Sequence, residues 1–279
     1  MSMNQDVFAE LAASLARGET VALVTIVKAS GSTPQRVGAK MLVHADGRTV
    51  GTIGGGCYEN DAFWKARDIL KTRQPKLVRY ELNDDFAEES GLICGGQMEV
   101  YIDPIEPAPS LYIVGAGHVG FHLARMAHEV GFRVHVIDDR EKFASRERFP
   151  TADEVIVDDI SAWLDRVTLP DSAYAVVVTR GHRHDLDALR SLAPRDLRYL
   201  GLIGSRAKVA RIADALLAEA TPPECLRRVH APIGLDIGAV SPAEIAVSIL
   251  AEMIAVRYGR LEQPQVAAMS MRWNPVGPA

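Results

Sequence analysis

The first hundred residues alternate short apolar stretches with polar turns, which is the pattern of antiparallel strands. An opening helix is predicted first, because Phe8, Leu11, Ala12 and Leu15 fall at helical spacing and Gly18 ends the run. A glycine-rich loop at Gly54–Gly56 is followed by a second predicted helix through Trp64 and Leu70. The predicted strands cover residues 21–28, 39–44, 48–52, 76–82 and 97–102. Residues 39–52 form a predicted hairpin, since an Asp-Gly pair separates its two strands.

After Ser110 the pattern changes to continuous apolar strands separated by helical stretches. These strands are predicted at residues 111–114, 133–137, 154–157, 174–179 and 197–203. Such an alternation is typical of a parallel sheet covered by helices on both faces. The segment Ser241-Pro-Ala-Glu244 predicts the start of the last long helix, because it combines a capping box with proline at the first helical position.

The two patterns predict an α/β protein with two domains. A smaller N-terminal α+β domain is predicted over residues 1–106, and a Rossmann-like doubly wound parallel sheet over residues 107–279. Residues 103–110 contain three prolines and are the predicted linker.

Composition narrows the class of protein. The chain has 279 residues, 31 Lys and Arg against 36 Asp and Glu, and a net charge of −5, which argues against broad binding to nucleic acid. Three cysteines are too few, and odd in number, for a disulfide framework, so a reducing compartment is expected. No apolar run is long enough to span a membrane, and the first residues lack the basic start of a signal peptide. We therefore expect a soluble, cytoplasmic protein.

A dinucleotide-type fingerprint directly follows the first strand of the second domain. In it, Gly115 permits a tight turn, Gly117 lets a pyrophosphate approach the backbone, and Gly120 allows the helix to pack on the strand. Asp138 stands where such proteins bind a ribose hydroxyl, which favours NAD, whereas Arg140 could recruit the extra phosphate of NADP. Glycines that serve packing alone, with no nucleotide bound, are the alternative.

Two cysteines lie beside glycines in the first domain. Cys57 follows Gly55 and Gly56 at a helix start, where the helix dipole favours a thiolate, and Cys94 precedes a second glycine pair. Both cysteines are candidate ligand contacts; small buried side chains beside turns are the alternative. Cys225 is interpreted as an inert core thiol. A structural zinc site is not favoured, because no Cys-x-x-Cys pair occurs.

Further polar residues follow the strands of the predicted parallel sheet. Because α/β proteins bind ligands at the carboxyl ends of such strands, these residues are candidate contacts. The set comprises His118, His182, Ser205 and Arg206. His182, His184 and Asp185 also have metal-ligand chemistry, although a helix start explains Asp185 equally well.

Seven motifs of this sequence resemble those of one known family. They are Gly31-Ser-Thr-Pro34, Gly51-Thr-Ile-Gly-Gly-Gly-Cys57, Cys94-Gly-Gly96, Gly115-Ala-Gly-His-Val-Gly120, Thr179-Arg-Gly-His182, Gly201-Leu-Ile-Gly-Ser-Arg206 and Gly234-Leu-Asp-Ile-Gly238. Occurring in this order over residues 8–258, they are similar to the XdhC/CoxI family of xanthine dehydrogenase accessory proteins.

The resemblance implies a chaperone for molybdenum cofactor (molybdopterin). It implies that the protein binds the cofactor, assists its sulfuration and inserts it into a xanthine dehydrogenase-type molybdenum hydroxylase. The resemblance further implies a cysteine desulfurase as a partner. Cys57 and Cys94 would then lie near the molybdenum, since soft thiolates suit that metal.

Three functions follow from these observations. We expect a cofactor-binding maturation factor rather than an enzyme with small-molecule turnover. An NAD(P)-dependent oxidoreductase and a ligand-free scaffold are the alternatives. The sequence does not decide whether the Rossmann-like domain binds NAD, NADP, the cofactor or no ligand. A homodimer is expected, because most soluble oligomers are twofold. We also expect Cys57 and Cys94 to face Gly117 and His182 across a cleft between the domains, with Arg206 adding positive charge.

Overall fold

The computed structural model describes residues 3–81 and 96–261. The chain divides into two compact units, Met1–Ala108 and Pro109–Ala279. Neither unit contains, within the described ranges, a helix long and apolar enough to cross a membrane.

The first unit contains an antiparallel sheet of five strands, in the order β3-β2-β1-β5-β4. Its described elements are α1 (Met3–Ala16), β1 (Val21–Ser30), β2 (Lys40–His44), β3 (Thr49–Gly51), α2 (Gly56–Thr72), β4 (Lys76–Glu81) and β5 (Gln97–Ile105). Helix α2 buries Ala62, Ala66 and Ile69 in the apolar core with side chains of the sheet. The predicted hairpin is confirmed, because β2 and β3 pair around the turn at Gly47.

Two details of the first unit differ from the prediction. The buried side of α1 runs through Val7 and Ser14, whereas Phe8 is 49% exposed, because the helix packs through Val7 against Val21 and Leu42. The predicted linker also begins too early. Strand β5 continues to Ile105, which pairs with Val21, so the first proline of that segment lies inside the sheet.

The second unit is built on a parallel sheet of six strands, in the order β11-β10-β9-β6-β7-β8. Its strands are β6 (Ser110–Val114), β7 (Arg133–Asp138), β8 (Glu154–Val157), β9 (Tyr174–Val177), β10 (Tyr199–Leu202) and β11 (Val229–His230). Its described helices are α3 (His118–Glu129), α4 (Ile160–Arg166), α5 (His182–Leu192), α6 (Arg206–Ala218), α7 (Pro223–Arg227) and α8 (Pro242–Arg257). The predicted α/β fold class is confirmed.

Helices cover both faces of this sheet. Leu123 of α3 and Ile249 of α8 belong to the apolar core on one face. Trp163 of α4, Leu189 of α5 and Ile212 of α6 belong to a separate core on the other face. The strands are apolar on both sides because each side is buried, which explains their continuous hydrophobic runs.

The last helix begins where the capping box predicted. The Ser241 hydroxyl accepts a hydrogen bond from the Glu244 N–H, and the Glu244 carboxylate accepts one from the Ser241 N–H. Glu252, on the same helix, accepts hydrogen bonds from the Tyr199 hydroxyl and from the Gly234 N–H at 2.9 Å. These contacts hold the glycine-flanked turn after β11 against the helix.

Candidate functional site

The candidate ligand edge lies where the strand order of the parallel sheet reverses. From β6 the chain passes to β7 on one side and later returns to β9 on the other. Helix α3 follows β6 and α5 follows β9, and the two helices cover opposite faces of the sheet. In open α/β sheets this switch point forms a crevice at the carboxyl ends of the strands, and ligands bind there.

Three glycines of the fingerprint have different surroundings. A Cβ atom on Gly115 would lie 2.5 Å from the Val178 carbonyl oxygen, and one on Gly120 would overlap the Gly115 carbonyl oxygen. A Cβ atom on Gly117 would meet no other atom within 4 Å. Gly115 and Gly120 are therefore required by packing, whereas the backbone at Gly117 is open to an approaching group.

Two of the helices that begin at this edge of the sheet have no side-chain hydrogen bond at their N-cap. Gly117 precedes α3 and Gly181 precedes α5, and neither helix has a side-chain cap. The first N–H groups of a helix attract anions when no side chain occupies them. His118 and His182 are the exposed first residues of these two helices.

Helix α6 starts differently, because the Ser205 hydroxyl accepts a hydrogen bond from the Lys208 N–H at 3.3 Å. Arg206 is exposed beside it, and no described carboxylate pairs with its guanidinium. Of the predicted contacts here, Ser205 thus caps its own helix and Arg206 is free to bind an anion.

Asp138 is engaged inside the protein. It is 3% exposed; its Oδ2 accepts a hydrogen bond from the Ala116 N–H at 2.8 Å, and both oxygens accept from the Arg140 guanidinium. Burial alone would raise the pKa of Asp138, but these hydrogen bonds outweigh it and hold the pKa below its usual range. The carboxylate therefore holds the glycine loop in place, and a ribose hydroxyl would have to displace Arg140 to reach it.

An ion pair links the loops on either side of β6. Arg180, after β9, donates from Nη2 to Asp139 Oδ2 at 2.8 Å, and Asp139 follows β7. The same Nη2 lies 3.3 Å from His184 Nε2. Because β7 and β9 flank β6, this pair joins the two loops next to the glycine loop.

A buried ion pair that the sequence did not reveal lies between α5 and α6. Asp185 is fully buried; its Oδ1 accepts from the Thr179 hydroxyl at 2.7 Å, and its Oδ2 lies 2.5 Å from Lys208 Nζ. Lys208 Nζ also donates to the Ile203 carbonyl oxygen at 3.1 Å. Asp185 thus connects two helix starts. Across residues 3–81 and 96–261, no three His, Cys, Asp or Glu side chains are grouped to hold a metal.

The motifs of the first unit come together around one turn. A Cβ atom on Gly54 would lie 2.6 Å from Pro34 Cβ, and one on Gly96 would lie 2.5 Å from the Ser32 carbonyl oxygen. The turn at Ser32–Pro34 therefore touches both glycine motifs, which explains why each requires glycine there. Cys94 lies outside the described residues.

Glu59 organises the loop that precedes Cys57. Its Oε2 accepts hydrogen bonds from the Thr52 hydroxyl, from the Ile53 N–H at 2.8 Å and from the Gly55 N–H at 3.1 Å. These N–H groups are thus already bonded, and what the loop presents is Cys57, a half-buried free thiol in the first turn of α2. Gly55 and Gly56 both have positive φ, which allows the tight entry into the helix.

Two family models match this chain. Residues 14–81 match the model described as the XdhC and CoxI family, and residues 111–253 match the model described as the XdhC Rossmann domain. The second match begins within β6 and ends within α8, so it includes the glycine loop and the switch point.

Three curated proteins are similar to this chain. The uncharacterized protein YqeB of Escherichia coli is 34% identical over 90% of this chain, which spans only 46% of that protein's length. A protein of Bacillus subtilis, named as a probable subunit of xanthine dehydrogenase, is 28% identical, covering 86% of this chain and 94% of its own. The molybdenum cofactor insertion chaperone PaoD of Escherichia coli is 24% identical, covering 89% and 87%.

One solved structure is similar over nearly the whole chain. It is described as a xanthine dehydrogenase from Bacillus halodurans, is 25% identical and has a TM-score of 0.51, covering 93% of this chain and 97% of its own.

Proposed function

The chain belongs to the XdhC and CoxI family, and from this membership we propose that it binds molybdenum cofactor as cargo and delivers it to a xanthine dehydrogenase-type molybdenum hydroxylase. The observation that carries the proposal is the similarity, over 89% of this chain, to a protein named as a molybdenum cofactor insertion chaperone. The similarity to a protein named as a probable part of xanthine dehydrogenase supports the class of client.

The switch-point crevice suits the phosphate end of this cargo. Molybdenum cofactor is an anionic pterin with a phosphate and a dithiolene-bound metal. Gly117 and Gly181 leave open space at two helix starts that lack side-chain caps, and this environment favours a phosphate oxygen. Arg206 adds a guanidinium group with no described carboxylate partner at the same edge of the sheet, whereas Arg180 is paired with Asp139.

The first unit supplies a group that suits the metal end. Cys57 is a free thiol, and soft thiolates are good neighbours for molybdenum. Cys94 is proposed as the second thiol from its place in the motif.

The remaining parts of the proposal are inferred from membership of the family. We infer that the chain assists sulfuration of the cofactor, with a cysteine desulfurase as the sulfur source, and that it acts as a cytoplasmic homodimer. When bound, the cargo would supply the molybdenum centre of the client enzyme; this chain would hold, orient and release it.

The alternative of an NAD(P)-dependent oxidoreductase has less support. Both oxygens of Asp138 are occupied by Ala116 and Arg140, so the acid that would read a ribose hydroxyl is engaged. Cofactor delivery makes no such demand on Asp138.

The test is to purify the chain from a host that makes molybdenum cofactor and to measure molybdenum and pterin in the protein. We expect both to copurify, and the loaded protein to activate a cofactor-free hydroxylase of the xanthine dehydrogenase type. The test variant is Gly117→Val, which adds a side chain only in the open space of the crevice and should retain less cofactor than the parent. Equal cofactor content in the variant and the parent would remove the crevice from the proposal.

A further inference from the structure

A groove of about 1100 Å³ lies between helix α3 and the segment after β7. Residues 118–129 form one wall and residues 142–151 the other. We call this cavity the α3 groove. It shares His118 with the switch-point crevice but otherwise consists of residues that the proposed function does not use. Its volume is slightly above the range of about 300–1,000 Å³ that is typical of sites for small organic ligands, so such a ligand would fit.

Arg148 is the central cation of the α3 groove. Its Nη1 donates to the Ala116 carbonyl oxygen at 3.0 Å and to the Phe143 carbonyl oxygen at 2.7 Å. The guanidinium also lies 5.1–5.6 Å from the ring centroids of Phe121, Phe143 and Phe149. These contacts fix its position, so little side-chain entropy would be lost on binding a ligand.

No carboxylate balances this charge within the part of the chain that the structure describes. Arg148 is half-buried, and its remaining N–H donors on Nη2 and Nε have no described acceptor. None of the Arg148 nitrogen atoms is both buried and unpartnered, so the free donors are open to a ligand that enters the groove. A bound anion would provide the missing charge.

Two further cations line the same groove without an ion-pair partner among the described residues. Arg125 lies 5.8 Å from the Phe121 ring centroid, and Lys142 is exposed on the opposite wall. Glu129 and Glu147 also line the groove, and neither forms an ion pair with these cations. Three cations thus face two carboxylates, in a chain whose net charge is −5.

We propose that the α3 groove binds the phosphate monoester of a small organic molecule. Arginine forks match the oxygens of a phosphate, and three cations suit a dianion better than a single carboxylate. The organic part would contact the apolar side chains of the groove, Phe121, Met126 and Pro150. This inference does not depend on cofactor delivery.

The test uses guanosine 5′-monophosphate as the phosphate ester, with guanosine and inorganic phosphate as partial probes, in calorimetric titrations of the full chain. We expect the ester to bind more tightly than either partial probe. Arg125→Ala and Arg148→Lys should each weaken its binding about tenfold, the effect of losing one charge-assisted hydrogen bond. Thermal melts establish that both variants fold.

Two control variants locate the binding. Arg211→Ala removes an exposed arginine of α6 outside the groove and should leave the affinity unchanged. Gly117→Ala, which projects into the crevice, should also leave it unchanged. No saturable binding, equal affinity for inorganic phosphate, or loss of binding in Gly117→Ala but not in Arg125→Ala would each overturn the proposal. A loss of cofactor retention with unchanged binding of the phosphate ester would not contradict this proposal.

Discussion

Gly117 and Gly120 are three residues apart in one fingerprint, yet their backbones face different surroundings. A Cβ atom at Gly117 would enter open space, and the backbone there has a φ of −71°, which any residue can adopt. A Cβ atom at Gly120 would overlap the Gly115 carbonyl oxygen, so the helix would have to move away from the strand.

We therefore expect Gly117→Ala to leave the free energy of unfolding within about 0.5 kcal/mol while reducing cofactor retention. Gly120→Ala should lower the free energy of unfolding by about 1–3 kcal/mol through overpacking. Denaturant melts and molybdenum content, measured on both variants, separate the two effects. Equal destabilisation by the two substitutions would show that Gly117 is also a packing residue.

Cys57 is the residue on which the metal end of the proposal depends. Its side chain is half-buried and free, in the first turn of α2, and the loop before it is held by Glu59. Cys57→Ala should fold normally, because no described contact depends on the sulfur atom, and should retain less molybdenum.

The same loss is expected for Cys94→Ala, and a larger one for the double variant. Metal analysis after identical purification measures it, and Cys225→Ala is the matched thiol control. If the double variant retained as much molybdenum as the parent, the thiols would have a structural role only.

At the scale of elements, the buried pair of Asp185 and Lys208 joins the starts of α5 and α6. Lys208→Met should leave the Asp185 carboxylate buried without its cation, and unfolding should become easier by about 3 kcal/mol. Combining it with Asp185→Asn removes the uncompensated charge while an amide oxygen still accepts from Thr179.

The double variant should therefore be more stable than Lys208→Met alone. A double-mutant cycle of urea melts measures this coupling. Additive losses would mean that the two side chains act independently, and the helix starts would then be held by their other contacts.

At the scale of the whole molecule, two buried carboxylates make the fold sensitive to acid. Burial alone would raise the pKa of Glu252, but hydrogen bonds from His230, Tyr199 and Gly234 outweigh it and lower the pKa. The pKa of Asp138 is lowered by its contacts with Arg140 and Ala116 in the same way. A carboxylate whose pKa is lower in the folded state stabilises the fold above its unfolded pKa, and this is lost as the pH falls.

The melting temperature should accordingly be flat near neutrality and fall below about pH 4.5, where unfolded carboxyl groups begin to take up protons. The Glu252→Gln variant should have a lower melting temperature than the parent at pH 7. Its melting temperature should also fall less on acidification, because one of the titrating carboxyl groups has been removed. Melting curves from pH 3 to pH 7 compare the two proteins. An identical acid slope in both would exclude Glu252 as a cause.

Much of the fold could be predicted because its signals are local. The apolar runs of β6, β7 and β9 predict buried parallel strands, and Ser241 with Glu244 predicts the start of α8. The short strand β11 was missed, since the two residues Val229 and His230 carry too little pattern. The end of β5 was also missed, because pairing with β1 overrides the effect of its proline.

The candidate site was predictable as a set of loops but not as a set of contacts. The glycine spacing identifies the loop at Gly117, because a fingerprint is recognised from glycines that follow a predicted strand and precede a predicted helix. That spacing does not show that Asp138 binds Arg140, that Glu59 holds the loop before Cys57, or that Lys208 reaches Asp185. None of these pairs has a periodic signal in the chain.

The sequence by itself determined the class of the fold, the order of its elements and the family, because hydrophobic periodicity and glycine positions are properties of neighbouring residues. Only the tertiary structure decided which glycine is open, which carboxylates are already engaged and which cations lack a partner. Those properties depend on groups brought together from separate elements, as when Arg148 donates to the carbonyl oxygen of Ala116 in the glycine loop. Burial and charge compensation arise at that step, and they separate a ligand contact from a packing residue.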